Sequence, residues 1–140
     1  MANIVFTDNT VKVKGVIESL AMNSLEEVSG ELESQVKRNT VVKTGKTKNS
    51  WQHRVTKVSD NEFTAIVGSD YENAIWEEFG TGEYALNGNG RKGGWYYVDE
   101  EGNGHFTRGK HPRRPFWNAY TMLKNRLIKH MQDVFKGGLS

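Results

Sequence analysis

The chain has 140 residues, 36% of them hydrophobic and 26% charged, with a net charge of +2 and no cysteine. That length suits one domain with a modest core. The missing cysteines exclude a disulfide framework and a thiolate metal site, and they fit a reducing compartment. No apolar run approaches the ~20 residues that span a membrane, so no membrane partner is expected. The start of the chain, Met1 to Phe6, has neither the basic leader nor the long apolar stretch of a signal peptide.

The small net charge conceals segregation. Seven basic residues and no acidic one lie between Lys37 and Lys57, ten acids against two bases between Asp60 and Glu101, and eight bases against Asp133 alone from Gly102 onward. The helix expected over 15–36 carries five glutamates and no lysine or arginine. Blocks of both signs suit head-to-tail contact between copies. The alternative is a solvated surface on which the charges mix once the chain folds.

In chain order, Ile4-Val5-Phe6 and Val11-Lys12-Val13 read as short strands about an Asp8-Asn9 turn. Ile17, Ala21, Leu25, Val28, Leu32 and Val36 then recur at helical spacing on one face of a helix that frays near Arg38-Asn39. Val41 to Asn49 reads as a basic polar loop. Trp51–Val58 and Glu62–Val67 form a hairpin about Ser59-Asp60-Asn61, with Trp51, His53, Val55 and Lys57 on one face. Ser69-Asp70-Tyr71-Glu72 fits a capping box opening a helix over 70–78, with Gly80 placed to stop it. A glycine-rich stretch leads to a second ribbon, Trp95–Val98 with His105–Arg108. Pro115 opens a last helix through Phe116, Tyr120, Leu123, Leu127, Met131 and Val134, which Gly137-Gly138 should end.

None of the chemical motifs survives its context. Gly88-Asn89-Gly90-Arg91-Lys92-Gly93 spells G-x-G-x-x-G, but a loop precedes it and a strand follows, where a dinucleotide site needs a strand and then a helix. Gly45-Lys46-Thr47 lacks the first Walker glycine, since position 40 is Thr40. His53, His105, His111 and His130 show no local metal spacing, and no serine has a nucleophile-elbow context. Glu77 and Glu78 are adjacent on a helix and so face different ways, one toward solvent and one at a packing boundary. No catalytic, cofactor-binding or metal-ligating residue is therefore assigned, and no cofactor is expected. A nuclease-like enzyme would need its histidines and acids to converge in space. The alternative function is a small nucleic-acid-binding module. It would use the basic loop with Trp51, and Arg108, Lys110, His111, Arg113 and Arg114, to hold phosphates and stack bases.

The order of the motifs carries more than any one of them. Thr44-Gly45, Ser50-Trp51, Val67-Gly68-Ser69, the block from Tyr71 through Glu78, Phe79, Gly80, Thr81 and Gly82, and Arg114-Pro115-Phe116 follow one another between two long helices. The chain in this respect resembles, over roughly residues 15–135, the tail-component family of long-tailed bacteriophages typified by phage HK-97. Its members are called tail-completion or head–tail joining proteins. The longer 83–110 ribbon and the bulky Trp117 depart from the pattern. The resemblance implies an α+β fold in one domain spanning 1–140. Long N- and C-terminal helices would pack on a small antiparallel sheet, with a short central helix and a β-ribbon insertion at 83–110. It also implies a virion structural protein acting at the neck, with no catalytic residues. Its partners would be phage neck and tail proteins, and it would form a homo-oligomeric ring past which DNA moves without specific binding. The expected structural and interface residues are Trp51, Tyr71, Glu78, Phe79, Gly80, Thr81, Gly82, Arg114, Pro115 and Phe116. Phe79, Trp76, Phe116 and Tyr120 would join the short helix, the sheet and the last helix.

Overall fold

Asp8 decides where the first helix starts: its side-chain oxygen accepts the Thr10 N–H at 2.9 Å, and helix α1 runs over Thr10–Asn39. A computed structural model describes residues 4–5, 7–42 and 45–139. The strand expected at Val11-Lys12-Val13 is instead the first turn of α1, and the helix begins five residues before Gly15. Three alternating residues are too few to distinguish a strand from one turn of helix. Ile4 and Val5 lie in no regular element, and Phe6 is outside the described residues.

Helix α2 (Lys46–Ser50) occupies part of the stretch expected to be loop, after Gly45 takes φ +83°. Thr44 of the Thr44-Gly45 pair lies outside the described residues. Strands β1 (Trp51–Ser59) and β2 (Glu62–Ser69) form the expected antiparallel hairpin, with Trp51 opposite Ser69 and Val55 opposite Ala65. Helix α3 covers Glu72–Phe79. No capping box forms there: the Ser69 hydroxyl accepts the Tyr71 N–H and meets the Ser50 hydroxyl, so the helix starts later than expected. Strands β3 (Trp95–Val98) and β4 (Gly104–Thr107) make a second two-stranded sheet with no strand shared with the first. Helix α4 (Pro115–Leu139) passes straight through Gly137 and Gly138, because Gly138 lies against the Leu20 side chain, where a Cβ would clash. Packing there overrides the low helix propensity of glycine.

Helix α1 is the shared layer of this α+β fold: the β1–β2 hairpin packs on it, and α4 runs along it. Two packed sides explain why Ser24 and Ser29 are buried within it. Their hydroxyls donate back to the Ala21 and Leu25 carbonyls, which satisfies them without an outside partner. The core sits at the C-terminal end of α1, where Val36, Trp51, Ala74 and Ala119 meet, flanked by Leu32 and Phe116. Trp51 is tied there by its indole N–H, which donates to the Thr40 hydroxyl at 3.1 Å; that hydroxyl in turn donates to the Val36 carbonyl. At the other end, Val11, Val13, Val16 and Ile17 are exposed, so the first turns of α1 overhang the body.

The acids of α1 find partners inside the chain. Glu18 meets Lys57, Glu27 meets His130, Glu31 meets Arg126, and Glu26 and Glu33 bracket His53, with Glu33 also taking Lys37. The α1 block is therefore a set of intramolecular pairs, and it is not a free surface for a neighbouring copy. His53 is the best-buried cation of the set, with carboxylates on both ring nitrogens. Hydrogen bonds to Glu33 and then Glu26 raise its pKa above the usual 6.5, against a smaller opposing effect of burial. For Glu33 burial pushes the pKa up, but the hydrogen bonds from Lys37 and His53 outweigh it and leave the value below 4.5.

A raised imidazole pKa stabilises the fold fully below 6.5, and that contribution is lost as pH rises through the folded-state value. The lowered Glu33 pKa stabilises above 4.5 and is lost as pH falls through its folded-state value. The thermal midpoint is therefore expected to be highest between these limits. His53→Gln should remove the decline on the alkaline side and cost about 1–2 kcal/mol near pH 6. Thermal unfolding of both proteins across pH checks this, and an unchanged alkaline decline in the variant counts against it.

Candidate functional site

The Trp76–Gly82 block has an inverted burial pattern. Glu77 and Glu78 are 5% and 7% exposed, while Ile75, Trp76 and Phe79 are 56%, 43% and 49% exposed. Both glutamates face inward, contrary to the expectation that one would be solvated. The aromatic joint expected from Trp76 and Phe79 is replaced by a carboxylate joint. Ala74 lets α3 approach the core closely, and the two acids then reach past it toward the start of α4.

Glu78 holds that start. Its Oε2 accepts the Phe116 N–H at 2.9 Å and its Oε1 accepts the Trp117 N–H at 3.0 Å. These are amides in the first turn of α4, which lack intrahelical acceptors. The carboxylate also sits at the positive end of the helix dipole. Arg114 comes just before the helix with φ +54°, a left-handed conformation that costs a non-glycine residue roughly 1–3 kcal/mol. Its guanidinium lies 4.9 Å from the Trp117 ring centre and 3.9 Å from Glu78. Pro115 is fully buried, and Phe116 stacks toward Trp51 with ring centres 6.1 Å apart. The Asn39 side chain donates to the Pro115 carbonyl at 3.1 Å, which ties the end of α1 to the same point.

Glu77 holds the segment leading into α4. Its backbone carbonyl accepts the Arg113 and Arg114 N–H groups at 2.9 and 3.2 Å. Its carboxylate pairs with Lys110 and stands 3.8 Å from Arg113. Beyond α3, Thr81 and Lys110 exchange backbone hydrogen bonds, and the Thr81 hydroxyl also accepts the Lys110 N–H at 2.9 Å. Gly80 and Gly82 have φ of +73° and +61°. A Cβ on Gly80 would come 2.8 Å from the Lys110 carbonyl, and one on Gly82 would collide with the Arg108 carbonyl. The glycines thus serve close backbone approach as well as a turn.

Glu78, Gly80, Thr81, Gly82, Arg114, Pro115 and Phe116 therefore converge on one joint, and Trp51 supplies its floor. Phe79 borders it from an exposed position. Tyr71, at the start of α3, lines a cleft shared with Glu77, Lys110 and Arg113 of the joint, and its carbonyl accepts the Ala74 N–H. Sequence reasoning missed Glu77, Lys110 and Asn39. One signal was present: α4 opens at Pro115 with no Ser, Thr, Asp or Asn before it, so its first amides need an acceptor from elsewhere. The basic run near residue 110 is spent on this joint and its surroundings. Arg108 meets Glu83, and His111 stacks on Tyr84 with ring centres 3.8 Å apart. Trp51, at 5% exposure, presents no ring on which a base can stack. Among the described residues no cluster of His, Asp and Glu could hold a metal ion, and no helix is long and apolar enough to cross a membrane.

Replacing Glu78 with Ala is expected to destabilise the fold by about 2 kcal/mol, the upper range for a lost helix cap. Gln, which has a single acceptor oxygen, should lose about half as much. Gly82→Ala should cost at least about 2 kcal/mol through strain and collision together. Urea unfolding of the three variants measures these costs, and values within about 0.5 kcal/mol of the parent, as for ordinary surface changes, would contradict the joint.

A family model described as "Bacteriophage HK97-gp10, putative tail-component" matches residues 5–80. The match spans α1, α2, the β1–β2 hairpin and α3, and it ends at Gly80 inside the joint; the ribbon and α4 follow it. No curated protein and no solved structure matches the chain. The family is one of phage tail components, which is not an enzyme class. With more than half of its length matched, the chain belongs to the bacteriophage HK97-gp10 tail-component family.

Proposed function

We propose that the chain is a structural part of the neck of a long-tailed phage. There it joins head to tail or completes the tail, as one domain over 1–140 repeated in a homo-oligomeric ring. Its partners are then neighbouring copies and other neck and tail proteins, its location is the virion, and DNA passes without sequence-specific contact. The residues of the α3–α4 joint, with Trp51 beneath them, serve this role by fixing the geometry between body and ribbon.

The observation that carries this reading is surface area. The chain exposes 10164 Å², more than a third above the about 7,400 Å² expected of a compact monomer of its mass. The overhanging start of α1 and the 83–110 ribbon supply part of the excess. It is large enough for two standard interfaces of about 800 Å² per partner, which is what a subunit in a closed ring needs. The exposed Tyr96, Val98 and Phe106 agree, since they share one ribbon face and contiguous exposed apolar surface marks interaction sites.

Phage particles assembled without this chain should accumulate as DNA-filled heads and separate tails in electron micrographs. Adding the purified chain to such a lysate should restore joined particles. Intact virions formed in its absence overturn the reading.

A further inference from the structure

The β3–β4 ribbon has one side that no other helix or strand among the described residues covers. Tyr96 stands opposite Phe106 and Val98 opposite Gly104, so Tyr96, Val98 and Phe106 share a face. They are 82%, 69% and 51% exposed. A two-stranded ribbon alone is marginally stable in water, and this one makes no extensive contact with another helix or strand.

The chain also has an unfilled apolar groove. Val67, Ala74, Ile75, Phe79 and Phe116 line it over a floor of Trp51, with a volume of about 240 Å³. A 150 Å³ apolar cavity is known to take up benzene, so the groove has room for an aromatic ring. The two features lie on opposite flanks of α3. The ribbon tip reaches the flank of Glu72, Asn73, Trp76 and Glu77 through Glu100, while the groove opens beside Ala74, Ile75 and Phe79.

We propose that the Tyr96–Val98–Phe106 face of one copy docks in the α3 groove of the next copy, with an aromatic ring of the ribbon filling the space beside Ile75, Phe79 and Phe116. This rests on the ring reading and names its contact. The occupant is a second copy because ribbon and groove are unlike surfaces on opposite flanks of one helix, so each contact leaves a free ribbon at one end and a free groove at the other. The excess surface admits two such contacts per copy. The acids of α1, the other candidate for joining copies, are already paired within the chain. Docking also gives the marginal ribbon the apolar partner it lacks.

The absence of native cysteine makes a direct test available. Val98→Cys and Ile75→Cys change exposed side chains and keep both ribbon rings, so both variants should keep the parent's circular dichroism spectrum and thermal midpoint. Mixed at high concentration with a thiol oxidant, they should form the mixed disulfide dimer in at least about tenfold excess over either homodimer, a selectivity of about 1.4 kcal/mol. The double variant should give a ladder of multimers. Equal yields of mixed and like dimers, or no mixed dimer, overturn the docking contact. Sedimentation of the unmodified chain separates the two levels. Multimers of the parent without selective cross-linking leave the ring standing and remove this contact. A parent that stays monomeric, with no selective cross-link, removes both.

Discussion

Two adjacent carboxylates on a two-turn helix organise this molecule. Burying an anion costs several kcal/mol unless it is paired and hydrogen-bonded. Glu78 is hydrogen-bonded through both oxygens, while Glu77 is bonded through Oε1 alone and leaves its buried Oε2 without a hydrogen-bond partner among the described residues. Glu78 spends its charge on the first amides of α4, where helix polarity favours an anion. Glu77 spends its charge on Lys110 and Arg113, and its carbonyl on the turn that delivers Arg114. Together they fix where α4 begins, and so where the 25-residue helix lies along α1. The left-handed Arg114 is tolerated because both sides of the turn are held: its own N–H by Glu77, the next two amides by Glu78.

The joint matters more here than in a molecule with a deep core. The core cluster is Val36, Trp51, Ala74 and Ala119, two of them alanines, gathered at one end of the long helices. Toward the other end, α1 and α4 are linked through the buried Leu123 and Leu127 and through the exposed pairs Glu31–Arg126 and Glu27–His130. Exposed ion pairs contribute about 0–1 kcal/mol each. Stability is therefore concentrated where the family match ends and the ribbon begins. The overhanging turns of α1 and the ribbon are carried by that end of the molecule.

The long helical patterns, the hairpin turn and the ribbon were legible in the sequence, and other short patterns were not. The helical spacing from Ile17 to Val36 and from Phe116 to Val134, the Ser59-Asp60-Asn61 turn and the two-stranded ribbon all stand where periodicity puts them. Val11-Lys12-Val13 misled because three residues cannot distinguish alternation from one helical turn. Gly137-Gly138 misled because glycine is a helix stop only where nothing packs on it, and Leu20 packs on Gly138. In α3 the failure was one of sign. Trp76 and Phe79 were expected to help join the core, and one of the two acids to face water. The helix is rotated the other way because the bare N-terminus of α4 needs anions more than the small core needs Trp76. That need is tertiary, and only the uncapped Arg114-Pro115 start hinted at it.

The charge blocks carry a similar lesson, and it bears on assembly. Read along the chain, five glutamates on α1 and a basic run after Lys37 look like complementary ends of different copies. In space the α1 glutamates meet Lys57, His53, Lys37, Arg126 and His130, and the late basic residues meet Glu77, Glu78 and Glu83. Charges paired within a subunit have little left to offer a neighbour, and what they do offer is screened at physiological salt. Apolar surface is also left in solvent: the outer ribbon face, the α3 groove and the first turns of α1. Removing such surface from water is favourable without requiring a matched charge. An assembly built on it gains its specificity from shape, and the buried carboxylates set that shape by fixing α3 against α4 on one side and the ribbon's base on the other.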